Sequence, residues 1–211
     1  NPDGKFPRGA EPLSHNLKQL GKAVVTNQAD IGIATDPDGD RLAIVDEKGN
    51  PLGEEYTLTI CADGLLKSTS YPESIVTNLS TTMALDKVAE KYGSRVIRSA
   101  VGEINVVNKM KEVGAVLGGE GNGGVILPES HYGRDSLVGT SMILNRMAQD
   151  TQTVSEIFQS MPQFIMVKDK IELGSVDPQT VLDKIEAAYP NVDSDKTDGL
   201  KLSWDNSWVH I

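Results

Sequence analysis

The chain has 211 residues, of which 38% are hydrophobic, and its formal net charge is −10. No apolar run approaches the ~18–20 residues of a transmembrane helix. No dense Lys/Arg cluster is present either, so we expect neither a membrane nor a nucleic acid as partner. The single cysteine, Cys61, has no partner for an internal disulfide, which favours a reducing, cytoplasmic location.

The first third of the chain predicts one helix, a strand pair and a second helix. A turn-rich opening, residues 1–7, looks like the middle of a domain, and helical spacing covers residues 16–23. Apolar runs at 30–34 and 42–45 predict two strands around a short acidic segment, and a helix follows over 54–67. The polar stretch 68–72 ends in a proline, so we expect a first domain over residues 1–69.

Strands and helices then alternate. Strands are predicted at 74–78, 95–98, 115–118 and 124–127, and helices at 82–92, 103–113 and 136–147. This alternation predicts a layered α/β domain over residues 70–162. A strand at 164–167, a helix at 178–188 and a hairpin at 200–211 predict a further, incomplete domain over residues 163–211.

The most informative segment is the acidic loop, residues 36–41, which reads Asp-Pro-Asp-Gly-Asp-Arg. Asp36, Asp38 and Asp40 alternate on one short turn, where three carboxylates repel one another unless a cation lies among them. Oxygen ligands suit a hard divalent cation. The adjacent Arg41 is well placed to bind phosphate.

Two other interpretations of the acidic loop are open at this point. Asp, Gly and Pro are common in solvated turns, so the segment could be a turn alone. In an EF-hand, Asp36, Asp38 and Asp40 would take loop positions 1, 3 and 5 and Glu47 position 12, as in a Ca²⁺ site. Position 6 is Arg41 instead of glycine, however, and the flanking runs are typical of strands.

The glycine loop, residues 118–124, reads Gly-Gly-Glu-Gly-Asn-Gly-Gly. Its glycines allow a close approach of the backbone to a ligand, but the order fits neither a dinucleotide loop nor a P-loop. Glu120 and Asn122 offer a carboxylate and an amide, which suit the hydroxyls of a polyol. The alternative is a tight hairpin in which the glycines only turn the chain.

Taken together, four segments resemble the α-D-phosphohexomutases, the family of phosphoglucomutase, phosphomannomutase and phosphoglucosamine mutase. They are the opening Asn-Pro-Asp-Gly-Lys-Phe-Pro with Glu-Pro-Leu at 11–13, the acidic loop, Val-Gly-Glu at 101–103, and residues 119–124 of the glycine loop. The resemblance implies an α/β chain with two layered α/β/α domains, the first incomplete, and the start of an α+β C-terminal domain. These would be the second half of domain two, all of domain three and part of domain four.

The resemblance also implies chemistry. A phosphohexomutase interconverts hexose 1-phosphate and hexose 6-phosphate through a phosphoserine, with hexose 1,6-bisphosphate as intermediate and activator. Mg²⁺ would be held by Asp36, Asp38 and Asp40, with Arg41 positioning phosphate. The sugar phosphate would be bound by Glu120 and Asn122 with Gly119, Gly121 and Gly123. An alternative of another class is a non-catalytic module that binds a divalent metal or a sugar phosphate.

The chain departs from the family pattern in ways that matter. The serine usual in the sugar loop is Asn122, and the later histidine of some members is Gly124, so the hexose is not fixed. Ser14-His15-Asn16 resembles the nucleophile motif but lacks its proline, and we interpret Ser14 as a helix N-cap. We therefore expect the catalytic serine in a missing domain of the same parent chain, and the fragment to be inactive alone.

Overall fold

A computed structural model describes residues 8–211, and within that range the chain forms three separate sheets and seven α-helices. The helices are α1 (Lys18–Asn27), α2 (Glu55–Ser68), α3 (Ala84–Lys91), α4 (Glu103–Val113), α5 (Ser136–Asp150), α6 (Val154–Ser160) and α7 (Pro178–Ala188). The strands are β1 (Gly32–Thr35), β2 (Leu42–Val45), β3 (Ser74–Asn78), β4 (Arg95–Ser99), β5 (Leu117–Glu120), β6 (Gly124–Ile126), β7 (Asp193–Asp195), β8 (Lys201–Trp204) and β9 (Ser207–His210). None of the described helices is both long and apolar enough to cross a membrane.

The central sheet has the strand order β4-β3-β5-β6, in which β6 alone runs antiparallel. Successive residues of β3 enter different cores, because side chains alternate across a strand. Ile75 packs with α2, α3 and α5 on one face, and Val76 packs with α4 on the other. Burial on both faces explains the continuous apolar run of β3. The α/β class and the three-layer arrangement are as predicted.

The acidic loop connects β1 and β2, which pair in antiparallel register with Thr35 opposite Leu42. Helix α1 covers this pair with Val24, which packs into a small core with Ala43 and Val45. A close backbone approach helps to fix α1, since a Cβ on Gly21 would lie 2.4 Å from the carbonyl oxygen of Gly49. The acidic loop is therefore held by a short hairpin with its own core.

Helix α2 joins the acidic-loop hairpin to the central sheet. Its residues pack with α3 and α5 in the large core, and its buried Asp63 accepts a hydrogen bond from Arg146 Nε of α5 at 2.6 Å. Lys91 and Tyr92, at the end of α3, bind the other carboxylate oxygen of Asp63. The domain boundary expected at 69–70 stays a prediction, but by its packing α2 shares a core with the elements that follow that boundary.

The segment between α6 and α7 differs from expectation. A strand was predicted over 164–167, yet the described residues offer it no pairing strand, and Ile165 and Val167 are 93% and 82% exposed. The segment is held instead by Tyr56, whose hydroxyl accepts from Phe164 N at 2.9 Å. The strand prediction was wrong because β propensity alone does not supply a neighbour.

The C-terminal sheet, β7–β9, is antiparallel and meets the carboxyl ends of β3 and β4. Lys201 Nζ donates to Leu79 O at 2.7 Å, His210 Nδ1 lies 2.5 Å from Ser80 Oγ, and Val101 N donates to an Asp198 carboxylate oxygen at 2.8 Å. The predicted hairpin is thus confirmed as β8–β9, while β7 was not predicted.

Ser14 is not the N-cap that the sequence suggested. It lies inside a 3₁₀ helix, Ser14–Asn16, whose N-cap is Leu13, and its side chain makes no capping bond with the described residues. Helix α1 starts later, at Lys18, so the predicted cap was misplaced. The opening motif, residues 1–7, lies outside the described part of the chain.

Candidate active site

The acidic loop is a tight turn in which the three aspartates converge. Arg41 N donates to Asp36 Oδ1 at 3.0 Å, and Gly39, at φ +76°, donates its N–H to Asp36 O at 3.3 Å. One carboxylate oxygen from each of Asp36, Asp38 and Asp40 lies within 4.8 Å of the others. Asp36 is buried and the three carboxylates converge, which favours a metal site over a solvated turn.

The charges of the acidic loop fit a hard divalent cation. Burial, together with the neighbouring Asp36, raises the pKa of Asp40 to about 6 in spite of a nearby arginine, Arg134. The Oδ1 atom of Asp40 is buried and receives no hydrogen bond from the described residues. Arg41 Nε lies 3.6 Å from Asp36 Oδ2 and 3.8 Å from Asp40 Oδ1, which neutralises the cluster only in part. An all-oxygen set in which a buried carboxylate oxygen accepts no hydrogen bond from the described residues suits Mg²⁺ or Ca²⁺.

The geometry disagrees with the EF-hand alternative. Strands β1 and β2 flank the loop where an EF-hand has helices. Glu47, which would be the bidentate ligand at position 12, accepts hydrogen bonds from the hydroxyl and the backbone N–H of Ser155 at the start of α6. Its carboxylate therefore serves to join the hairpin to α6.

The glycine loop forms a hairpin between β5 and β6, in register Glu120 opposite Gly124. Gly123 turns the chain at φ +92°, and its missing Cβ would lie 2.4 Å from Leu42 O. The Asn122 side chain accepts from Gly124 N at 3.1 Å and lies 3.4 Å from Glu120 Oε2. The tight-hairpin interpretation is thus right about the backbone, and the polar side chains of the loop are organised around Glu120.

Glu120 is 3% exposed, and its carboxylate accepts four hydrogen bonds. Oε1 accepts from Asn78 Nδ2 at 2.8 Å and from Gly102 N at 3.1 Å. Oε2 accepts from Arg134 Nη1 at 2.7 Å and, more weakly, from Asn122 Nδ2 at 3.4 Å. A carboxylate has about four lone-pair positions, so a sugar hydroxyl must replace one of these donors to bind Glu120.

The acidic loop and the glycine loop are neighbours. Leu42 N, directly after the acidic loop, donates to Gly123 O at 3.0 Å, and Arg41 forms an isolated antiparallel bridge with Gly124. Arg134, between β6 and α5, binds both Asp40 and Glu120 through its two terminal nitrogens. The two loops that carry the site residues indicated by the sequence are therefore in direct contact.

Two further residues of this site were not found from the sequence. Arg134 precedes the N-cap of α5, Asp135, and nothing in its spacing relates it to Glu120, 14 residues earlier, or to Asp40, 94 residues earlier. Lys168, in the extended segment after α6, lies 2.9 Å from buried Glu55 and 3.5 Å from Gly121 O of the glycine loop. Burial raises the pKa of Glu55 even though Lys168 opposes the shift. Neither contact could be derived without the tertiary fold.

Comparison with known proteins gives the family. A family model described as phosphoglucomutase/phosphomannomutase, alpha/beta/alpha domain III, matches residues 53–164, and the model for domain II of that family matches residues 1–49. The chain belongs to the phosphoglucomutase/phosphomannomutase family. The two matches meet between residues 49 and 53, just before α2. This position agrees with the packing of α2 against the elements that follow it in the chain.

Relatives and solved structures agree with this assignment. The chain is 34% identical to a phosphoglucomutase/phosphomannomutase of Thermococcus kodakarensis and 31% identical to a probable phosphoglucosamine mutase of Methanopyrus kandleri, in each case over 100% of its length. It covers 46% and 47% of those proteins, so it spans about half the length of the curated relatives it matches.

A crystal structure of a family protein from Burkholderia thailandensis has a TM-score of 0.79 at 23% identity, covering 98% of this chain and 45% of that one. A putative phosphomannomutase from Thermus thermophilus has a TM-score of 0.72 at 22% identity, covering 95% and 44%. At these identities the two structures support the fold alone.

Proposed function

We propose that the parent protein of this chain interconverts hexose 1-phosphates and hexose 6-phosphates through a phosphoserine and a hexose 1,6-bisphosphate. The observation that best supports the proposal is the shared contact of Arg134 with Asp40 and Glu120. It brings a carboxylate cluster suited to a cation beside a carboxylate and amide pair suited to sugar hydroxyls. A phosphoryl transfer between sugar oxygens needs both sites side by side.

In this proposal Asp36, Asp38 and Asp40 hold Mg²⁺. When bound there, the ion would offset the negative charge that develops on a transferring phosphoryl group. Arg41, already beside the aspartates, orients a phosphate with its planar guanidinium. Its Nη1 lies 3.3 Å from Glu11, an exposed partner that an incoming phosphate can replace.

The glycine loop holds the sugar. Glu120 and Asn122 bind hydroxyls, while the glycines at 119, 121 and 123 let the loop pack closely against neighbouring protein atoms and so fix the place of these two side chains. Hydroxyls occur on both halves of a hexose, so the same groups can hold the bisphosphate in either orientation. Either phosphate can then be presented to a single phosphoserine. We place that serine in another domain of the parent protein. We also propose that the parent protein is cytoplasmic.

The metal assignment can be tested on Asp38, the exposed member of the cluster, whose loss should leave the fold intact. Asp38→Asn should lower the Mg²⁺ affinity measured by titration calorimetry. Loss of a residue that only supports a metal ligand typically costs about 10–100-fold, so loss of a ligand should cost at least that much. Asp169→Asn is the control and should bind Mg²⁺ like the unaltered chain, because within residues 8–211 the Asp169 carboxylate accepts a hydrogen bond only from its neighbour, Lys170 N. Unchanged affinity in Asp38→Asn would contradict the metal site.

The reaction is tested on the full-length parent protein. With Mg²⁺, we expect glucose, mannose or glucosamine 1-phosphate to be converted to the 6-phosphate, and Asp38→Asn to abolish most of this turnover. If the full-length protein binds Mg²⁺ and sugar phosphates but converts none of them, the non-catalytic module is the better description.

A further inference from the structure

Arg134 lies at the meeting point of three acidic residues from three different elements. Its Nη1 donates to Glu120 at the end of β5 at 2.7 Å, and its Nη2 binds Asp40 of the acidic loop. Its Nε lies 3.5 Å from Glu103 at the start of α4, which also accepts from Arg134 N at 3.0 Å. The side chain is 14% exposed, so these contacts are made largely out of solvent.

Gly124 makes the room that Arg134 occupies. A Cβ at position 124 would lie 2.2 Å from Arg134 Cδ and 3.0 Å from its Cγ, which are atoms in the middle of the side chain. Any residue other than glycine at 124 therefore forces the arginine to move. The fork geometry of a guanidinium is rigid, so a displaced Arg134 cannot keep both carboxylates in reach.

We infer that Arg134 is a positioning residue that couples divalent-cation binding at the acidic loop to the availability of Glu120 for the sugar. This rests on the metal site of the proposed function. Arg134 is a cation that Asp40 and Glu120 share. A divalent cation bound through Asp40 Oδ1 repels the guanidinium and neutralises Asp40, which is one of the three anionic partners of Arg134. The hold of Arg134 on Glu120 Oε2 then weakens, and that oxygen becomes free to accept a sugar hydroxyl.

The coupling has a direction that can be measured on the 211-residue chain. Removing the positive charge should make cation binding tighter, so Arg134→Gln should bind Mg²⁺ roughly three- to tenfold more tightly than the unaltered chain. Linkage is reciprocal, so the effect of Mg²⁺ on the surroundings of Glu120 should disappear in the same variant. Hydrogen exchange of Gly102 N–H reports on those surroundings, because this amide donates to Glu120 Oε1. In the unaltered chain Mg²⁺ should change the exchange rate, and in Arg134→Gln it should not.

A second variant keeps the positive charge. Gly124→Ala should displace the guanidinium without removing it, so the response of Gly102 to Mg²⁺ should again be lost while the Mg²⁺ affinity rises less than in Arg134→Gln. Arg95→Gln is the matched control. Arg95 is the first residue of β4, at the end of the strand away from Gly102, and its Nε donates to Ser74 Oγ. In Arg95→Gln the Mg²⁺ affinity and the response of Gly102 to Mg²⁺ should both stay unchanged.

The outcomes separate this inference from the proposed function. If the unaltered chain binds Mg²⁺ and loses it in Asp38→Asn, the metal site stands. Equal Mg²⁺ affinity in Arg134→Gln, with Gly102 still responding to Mg²⁺ in both variants, would then overturn the coupling alone. Absence of Mg²⁺ binding in the unaltered chain would overturn the metal site and the coupling together.

Discussion

Replacing Glu120 by glutamine should destabilise the folded chain even though the two side chains have almost the same shape. The carboxylate accepts two hydrogen bonds at each oxygen. A glutamine keeps one acceptor and turns the other position into a donor. If its nitrogen faces Arg134, the 2.7 Å bond from Nη1 is lost and two donors oppose each other. If it faces the other way, the bonds from Asn78 at 2.8 Å and Gly102 at 3.1 Å are lost.

The magnitude follows from these losses. One hydrogen bond to a charged group and one weaker bond disappear in a buried place, so the free energy of unfolding should fall by about 2–4 kcal/mol. Urea denaturation without added metal measures this change. Glu112→Gln is the control, since the Glu112 side chain is 65% exposed and, among the described residues, pairs only with Lys109 one helical turn away. That pair should contribute less than about 0.5 kcal/mol. A Glu120→Gln chain as stable as the control would show that the carboxylate is not held by these four donors.

Two more predictions concern the frame around the site. Burial by itself would raise the pKa of Asp63, but hydrogen bonds from Arg146, Tyr92 and Lys91 outweigh it and lower the pKa. The contribution of Asp63 to stability is therefore present above the pKa of the unfolded state and is lost as pH falls through the pKa of the folded state. The difference in unfolding free energy between the unaltered chain and Asp63→Asn, measured in urea, should shrink below about pH 4. A difference that stays constant down to about pH 3 would contradict this. Gly123→Ala should lower the free energy of unfolding by at least about 2 kcal/mol, because the residue has φ +92° and its new Cβ would also meet Leu42 O. Gly114→Ala is the control. Gly114 has φ +65° and no described atom within 4 Å of a Cβ, so its replacement should cost only about 1 kcal/mol.

The sequence predicted the parts of the fold that depend on local patterns. Helices α4 and α7 and strand β3 begin and end where the periodicity and the flanking glycine or proline indicated. Helix α6 was missed although it carries a local signal. Its N-cap, Thr153, and Glu156 form a capping box, which a search for Thr-x-x-Glu finds. The helix has only seven residues, so its apolar periodicity is too brief to predict it.

What the sequence could not supply were contacts between distant parts of the chain. The aspartates of the acidic loop and Glu120 could be chosen because their motifs are contiguous. Arg134 and Lys168 could not, since each belongs to the site only through the packing of α5 and of the segment after α6. The saturated state of Glu120 was equally hidden, because three of its four donors come from Asn78, Gly102 and Arg134, each from a different part of the chain.

The bonds between the acidic loop and the glycine loop are made by main-chain atoms, through Leu42 N and Gly123 O and through the bridge from Arg41 to Gly124. Main-chain bonds do not depend on which side chains the residues carry. Evolution can therefore exchange the half-buried Asn122 for another polar residue without altering the spacing between the two loops. In the proposed sugar site, such an exchange would change which hydroxyl is bound. Positions 123 and 124 are different, because both are filled by neighbouring atoms and tolerate no Cβ without a shift. Divergence in sugar preference should accordingly begin at position 122, and a change at 124 should require a compensating change at Arg134.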